Sequence, residues 1–186
     1  MGASSLNSRI RRTLAAFDLR PASGAALDAG HQLAARLIGP GIATLETLRA
    51  VQRHTALAAF VRHEGEEVAG VFVFLLLNAH GHAAVLLDQF DGLSPPLDQL
   101  AVPGKPPSAY YGWGFAGVTP SARAAVVAGA DALRHGPLAH IPFFCRAATP
   151  AGRRAVTLKL GYRDLPGSTS GMFWSPPVGD PPRRAA

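Results

Sequence analysis

The sequence is poor in cysteine and in lysine. Cys145 is the one cysteine in 186 residues, which excludes a disulfide framework and a cysteine-based metal site and favours a reduced, intracellular environment. Lys105 and Lys159 are the two lysines, so arginine supplies almost all of the positive charge behind the net value of +6. This charge suits an anionic partner such as a phosphate-bearing ligand, but the arginines are dispersed, and a solvated arginine-rich surface explains them equally well. A nucleic-acid partner is disfavoured because no motif interleaves aromatic and basic residues.

The sequence also lacks a long apolar run. The longest, Val71–Leu77, is far shorter than the ~20 residues that a membrane-spanning helix requires. The pair Arg11-Arg12 is soon followed by the charge of Asp18, which leaves no apolar region of signal-peptide length. With 48% hydrophobic and 16% charged residues the chain can fill a core, and we expect a cytoplasmic protein with no membrane partner.

Three regions are expected along the chain. Residues 1–13 form an N-terminal extension, residues 14–175 a single domain, and residues 176–186 a flexible tail rich in proline and arginine. Because each region differs in composition, we expect the boundaries to fall where helical or alternating patterns begin and end.

Within the domain, periodicity and turn residues predict the order of the elements. They indicate, in sequence, a strand over 14–23, helices over 23–41 and 42–54, a hairpin that turns at 63–66, a proline- and glycine-rich loop over 91–107, a strand over 108–118, a helix over 119–136, a strand over 139–147, a helix over 149–161 and closing strands. The segment 82–90 is compatible with a helix or a strand. This order predicts an α+β fold of three layers, in which helices flank a mixed, mostly antiparallel sheet.

Large and small residues alternate in "SAYYGWGFAGV", residues 108–118. A period of two is expected to put the aromatic residues on one face of the strand and the small residues on the other, namely Tyr111, Trp113 and Phe115 against Gly112, Gly114 and Ala116. A strand face that carries only glycine and alanine allows a ligand or a helix to lie close to the backbone.

Two of the predicted helices begin with the same Thr-Pro pair. Thr119 and Thr149 are suited to be N-caps, and a proline in the first turn loses no hydrogen bond. Such strand-to-helix turns expose backbone N–H groups and the positive end of a helix dipole, so they are favourable positions for phosphate groups.

The order of these segments, together with "FDLRPAS", "GVTPSARAAV" and "RRAVTLKLGYRDL", resembles the GNAT-type N-acetyltransferase superfamily over roughly residues 15–175. The best local match is Lys159-Leu160-Gly161-Tyr162, because the family commonly ends an alanine-rich helix with a Gly-Phe pair. The resemblance implies an acyl-CoA N-acyltransferase-like fold. It also implies transfer of an acetyl group from acetyl-coenzyme A to the amine of a small molecule or a peptide, with no metal and with a homodimer as a possible assembly.

The resemblance further implies where coenzyme A binds. The family's phosphate turn corresponds to one segment of this chain, whose backbone is expected to contact the pyrophosphate: Arg123, Ala124, Ala125, Val126, Val127 and Ala128. The preceding strand is expected to pair with the pantetheine arm through the backbone of Ala116 and Val118. Val126 stands where the family has a glycine, and Thr157 where many members have a tyrosine that acts as general acid. A catalytically degenerate binding or regulatory module is therefore the alternative function.

Few other residues are candidates for chemistry. Tyr111 is the candidate for handling protons because it lies on the strand before the phosphate turn, although a structural aromatic explains it as well. His80 and His82 lack a third ligand nearby in sequence, so no metal site is predicted. Cys145 is expected to be buried and structural. The loop over 91–107 is expected to border the acceptor pocket.

Overall fold

The computed structural model describes residues 5–179. Within this range the helices are α1 (Leu6–Ala15), α2 (Gly24–Ile38), α3 (Leu45–Thr55), α4 (Ala79–Leu86), α5 (Pro120–His135) and α6 (Pro150–Arg154). The strands are β1 (Arg20–Pro21), β2 (Ala59–Glu64), β3 (Glu67–Leu77), β4 (Ala109–Gly117), β5 (Phe143–Arg146), β6 (Arg163–Asp164) and β7 (Met172–Ser175). A short 3-10 helix covers Leu97–Gln99, and a π-helical turn over Ala155–Lys159 continues α6.

The strands form one sheet in the order β1-β2-β3-β4-β5-β7-β6. Neighbouring strands are antiparallel except β4 and β5, which run parallel and are joined by the crossover helix α5. A parallel neighbour needs such a crossover because the chain must return to the same end of the sheet. The sheet is therefore mixed and mostly antiparallel, which confirms the predicted α+β class.

Helices cover both faces of the sheet. One face, called here the α2 face, packs α2, α3 and α4 through residues such as Leu33, Val51 and Val85. The opposite face, called the α5 face, packs α1 and α5 through residues such as Ile10 and Leu133. The central strand β3 is buried from Ala69 to Leu77, as its unbroken apolar run predicts for a strand covered on both sides.

The N-terminal part of the chain differs from the expectation. The predicted strand over 14–23 is reduced to Arg20–Pro21, because α1 continues through Ala15. Ile10 and Leu14 on α1 are completely buried against the α5 face, so the expected N-terminal extension contains, from Leu6 onward, a helix of the core. The expected tail over 176–186 falls largely outside the described residues. The segment 82–90, left open by the sequence, lies mostly in α4.

Asp88 joins three separate parts of the fold just after α4. Its carboxylate accepts hydrogen bonds from the backbone and side chains of Thr169 and Ser170 in the turn before β7, and from the Ser168 hydroxyl. The Arg146 guanidinium on β5 lies 3.7 Å from the same carboxylate. Hydrogen bonds, first of all from the Ser170 hydroxyl, hold the pKa of Asp88 well below its usual value.

Replacement Asp88→Asn is expected to lower stability at neutral pH, because the amide retains only part of this set of hydrogen bonds. A depressed carboxyl pKa contributes stability above the unfolded pKa of about 4, and that contribution is lost as the pH falls below it. The difference between wild type and variant should therefore shrink from pH 7 to pH 3 in urea unfolding. Asp98→Asn, at a side chain that is 73% exposed, is the matched control. Equal stability of wild type and Asp88→Asn at pH 7 would contradict the assignment.

Candidate functional site

A β-bulge interrupts β4 at Trp113. Val73 of β3 is opposite Gly114 and Phe74 is opposite Gly112, so Trp113 is an extra residue without a partner. Trp113 and Gly114 consequently both project toward the α2 face, where Trp113 packs and where the nearest atom to a Cβ on Gly114 is the Val73 Cβ at 3.9 Å.

Because of the bulge, the side chains after Trp113 lie on the opposite faces of the sheet from those that the sequence pattern predicts. Tyr111 lies on the α2 face as Trp113 does, but Phe115 lies on the α5 face and stacks on Phe72 with ring centroids 4.6 Å apart. The expectation that all three aromatic residues share one face is wrong at Phe115. It is wrong as well for the small residues, since Gly112 and Gly114 point to opposite faces.

The two predicted glycine positions also differ in what lies against them. A Cβ on Gly112 would come within 3.1 Å of the Phe115 ring and 3.3 Å of the Cys145 Cβ, so this glycine is small because the protein packs on it. Gly114 has no such neighbour and lines an open cleft. Of these two glycines, Gly114 alone leaves room for a ligand to lie close to the strand backbone.

Strands β4 and β5 separate beyond the bulge. Their parallel pairing ends at Gly112 opposite Cys145, while β4 continues to Gly117 and β5 pairs onward with β7. The separation opens a cleft of about 640 Å³ through the sheet. Residues of both faces line it, from Leu37, Ile42 and Leu93 on the α2 face to Val126, Val156 and Leu160 on the α5 face.

The free edge of β4 carries backbone groups that have no strand partner. The Val118 amide donates to the Ala69 carbonyl at 2.8 Å, so it points toward β3. Because backbone groups alternate along a strand, Ala116 is directed to β3 as well, whereas Phe115 and Gly117 are directed to the cleft. The backbone contacts expected from Ala116 and Val118 are thus moved by one residue, although Ala116 still lines the cleft.

The start of α5 differs from the expected phosphate turn. Thr119 caps the helix as predicted, accepting from the Ala122 amide at 3.0 Å, but α5 begins at Pro120 and the Arg123 amide already donates to the Thr119 carbonyl. All amides from Arg123 to Ala128 therefore fall within the helix and bond there, which leaves none of them free for a pyrophosphate. The Thr119 hydroxyl in turn donates to Glu64, so a carboxylate already lies at this helix terminus.

Side chains of the predicted phosphate segment divide between cleft, core and solvent. Val126 and Val127 line the cleft, and Val126 is also buried in the core on the α5 face. Arg123 lines the cleft and donates to the Val118 carbonyl at 2.8 Å, whereas Ala124 is exposed. Ala125 and Ala128 do not line the cleft. The side-chain contacts that this segment offers to a ligand come from Arg123, Val126 and Val127.

Gly117 is the position at which strand and helix approach most closely. A Cβ there would lie 2.6 Å from the Arg123 backbone nitrogen and 2.8 Å from the Ala122 carbonyl carbon. Only a glycine allows this contact, which holds the first turn of α5 against the end of β4 and forms one corner of the cleft.

Tyr111 and Cys145, the cleft residues whose deprotonated form could act as a base or nucleophile, stay protonated at ordinary pH. Burial raises the pKa of Tyr111 to about 12 despite the nearby Arg146, and burial alone raises the pKa of Cys145 to about 12. Among the described residues that line the cleft, Arg123 and Arg146 carry the charged side chains, and no carboxylate or imidazole joins them. The cleft can donate hydrogen bonds but offers no side-chain base.

The last helix closes the cleft on the α5 face with an irregular turn. Thr149 caps α6 as predicted, and the Leu160 amide reaches back to the Ala155 carbonyl across the π-helical turn. Ala155, Val156 and Leu160 thereby face the cleft. Single π-turns of this kind occur frequently beside functional sites.

Two further candidates from the sequence lie apart from the cleft or only touch it. His80 and His82 are in α4, not in a loop, and they diverge: His80 approaches Asp98, whereas the His82 ring packs on Phe144. Of the loop over 91–107, Gly92 and Leu93 line the cleft. The Trp113 indole N–H donates to the Gly92 carbonyl, which attaches the start of this loop to the bulge.

Comparison of the chain with protein-family models, with curated proteins and with solved structures found no match. Across residues 5–179, no helix combines the length and apolar character needed to cross a membrane.

Proposed function

We propose that the protein binds a coenzyme A thioester in the cleft and transfers its acyl group to an amine. The observation that carries the proposal is the opening of the sheet between β4 and β5 beside an unpaired strand edge. An extended ligand with amide groups, such as the pantetheine arm, can pair with the backbone of Phe115 and with the Gly117 amide as an added strand would. The Gly117 carbonyl already accepts a hydrogen bond from the Arg123 guanidinium at 3.4 Å. The order of elements around the parallel pair of β4 and β5 supports an acyl-CoA N-acyltransferase-like arrangement.

The residues fit the acyl and pantetheine portions better than the phosphates. The cleft is lined mainly by apolar groups and open backbone, while the amides from Arg123 to Ala128 are occupied within α5. Phosphate recognition would therefore depend on side chains, with Arg123 as the cation at the start of α5. Contact through the Arg123 side chain replaces the backbone cradle that the resemblance implies.

The transfer itself forms one bond and breaks one. The amine nitrogen bonds to the thioester carbon, the carbon–sulfur bond breaks, and coenzyme A leaves as a thiol after taking up a proton. Since the cleft lining supplies no base, the amine must arrive neutral and lose its proton to water. The Tyr111 phenol stays protonated, so its proposed role is to donate a hydrogen bond and not to abstract a proton.

A second candidate function is a binding or regulatory module without catalysis. The lack of a carboxylate or imidazole among the described cleft residues and the occupied amides of α5 favour it. They remove the base and the phosphate cradle on which turnover relies in the resembling family. Calorimetric titration with acetyl-coenzyme A, followed by an assay on a panel of amines, separates the two functions. Binding without turnover would favour the module. Absence of acetyl-coenzyme A binding at millimolar concentration would contradict both candidate functions.

Two variants examine the residues of the proposed site. Arg123→Ala is expected to weaken binding by about 1–3 kcal/mol, the range for a charged hydrogen bond, whereas Arg9→Ala on the exposed side of α1 should leave it unchanged. Tyr111→Phe should lower kcat with little effect on donor binding. Unchanged turnover in Tyr111→Phe would remove the tyrosine from the site, and equal effects of Arg123→Ala and Arg9→Ala would remove the arginine.

A further inference from the structure

We propose that the acyl group carried by the thioester is longer than acetyl and that its chain lies in the apolar end of the cleft on the α2 face. This inference rests on the proposed function, because it concerns the group attached to the same donor. It follows from the apolar side chains at that end of the cleft, because a charged amine would need polar or acidic side chains as partners.

The α2 end of the cleft is walled by apolar side chains. Its lining residues come from the end of α2, the segment that joins α2 to α3, the start of the loop after α4, and the bulge of β4: Leu37, Ile38, Ile42, Ala43, Leu93 and Trp113. The one N–H among these side chains, that of the Trp113 indole, already donates to Gly92. A polar or charged substrate group would be desolvated here without a side-chain partner, whereas a hydrocarbon chain would not.

A second, smaller cavity continues this end beneath α2. It has a volume of about 30 Å³ and shares Ile38, Trp113 and Gly114 with the main cleft, and Val71 and Val73 of β3 line its base. His31 of α2 also lines it, with the imidazole Nε2 2.9 Å from the Ala43 carbonyl oxygen. That volume equals roughly the share of one water molecule in the liquid, which also suits a terminal methyl group. Apart from the His31 imidazole, the path that extends from the bulge into the core under α2 is therefore apolar.

The outer rim of the same end exposes apolar surface. Leu37 is 40% exposed and Leu93 is 54% exposed, although both face an otherwise apolar wall. An acyl chain that passes between them would remove part of this surface from water. The rim and the cavity together give a continuous apolar surface that an acetyl group, with its single methyl, would leave uncovered.

Gly114 controls access to this surface. It lines both the cleft and the cavity, and a Cβ there would meet nothing nearer than Val73 at 3.9 Å. Larger residues are therefore compatible with the backbone, but their side chains would project into the path of the chain. The series Gly114→Ala and Gly114→Val provides a graded obstruction at one position.

The test is a calorimetric series with coenzyme A and with its acetyl, butyryl, hexanoyl and octanoyl thioesters. If the chain is buried, each two-carbon extension should tighten Kd by roughly tenfold until the cavity is filled. Gly114→Val should reduce this gain to about threefold or less in total, and Gly114→Ala should lie between. The gain is measured in each protein relative to its own affinity for coenzyme A, so a change in coenzyme A binding itself does not affect the comparison.

The outcomes separate this inference from the function on which it rests. Equal affinity for all thioesters, or weaker affinity for the longer ones, would overturn the acyl-chain assignment and leave a coenzyme A site intact. A gain with chain length that persists in a folded Gly114→Val variant would place the chain elsewhere and also overturn it. If neither coenzyme A nor any thioester binds, the proposed function fails first. Thermal melts of both variants establish that they are folded.

Discussion

Deletion of Trp113 should close the cleft, whereas Trp113→Ala should leave it open. In the folded chain Trp113 and Gly114 occupy the α2 face in succession, and the pairing of β4 with β5 ends at Gly112, just before the extra residue. Because a bulge bends the strand that contains it, we expect the extra residue to turn β4 away from β5. Without Trp113, the residues Gly112, Gly114 and Phe115 follow one another and alternate regularly between the two faces of the sheet. Each of them keeps the face that it occupies in wild type. Strand β4 can then remain beside β5 past the pair Gly112–Cys145, at the expense of the opening.

The expected result can be read without any ligand. In wild type and in Trp113→Ala the amides of Phe115 and Gly117 face the cleft and should exchange rapidly with solvent, while in the deletion they should become protected. Both variants lose the indole, at a cost of about 3 kcal/mol for a partly exposed tryptophan, so their difference isolates the bulge. Binding of coenzyme A itself, which lacks the acyl chain that would contact Trp113, should fall by more than tenfold in the deletion and much less in Trp113→Ala. Identical exchange of these amides in all three proteins would refute the role given to the bulge.

Phe74→Ala is expected to cost about 3–5 kcal/mol of unfolding free energy. Phe74 is completely buried on β3, and its ring lies 5.9 Å from that of Phe60, 5.6 Å from Phe72 and 5.2 Å from Tyr110. The cavity left by the substitution is bounded by strands on both sides, which cannot move in without breaking the sheet. The midpoint of thermal unfolding should fall by about 10 °C or more.

Two further variants make this prediction specific. Phe74→Leu should cost clearly less, because it preserves most of the buried volume. Leu158→Ala, at a side chain that is 76% exposed, should change stability by less than about 0.5 kcal/mol. A loss of less than about 2 kcal/mol in Phe74→Ala would indicate that the core relaxes around the gap, contrary to the rigid sheet described here.

Local sequence patterns predicted the helices and strands more accurately than they predicted the contacts in the candidate site. The Thr119 and Thr149 caps, the hairpin of β2 and β3 and the two closing strands all lie where periodicity and turn residues place them. The candidate site is more mixed. Arg123, Val126, Val127 and Tyr111 do line one cleft, but the amides expected to bind phosphate are used by α5, because the helix begins earlier than the resemblance implies.

The sequence by itself determined the order of the helices and strands apart from α1, which it missed, and α4, which it left open. It also determined the burial of Val71–Leu77 and the starts of the two Thr-Pro helices. These features depend on interactions between residues a few positions apart, so short stretches of sequence are enough to predict them. Only the tertiary structure decided on which face Phe115 lies, where β4 leaves β5, and that α1 belongs to the core. The reason is that a bulge is defined by the partner strand: Trp113 is an extra residue only because Val73 and Phe74 pair on either side of it.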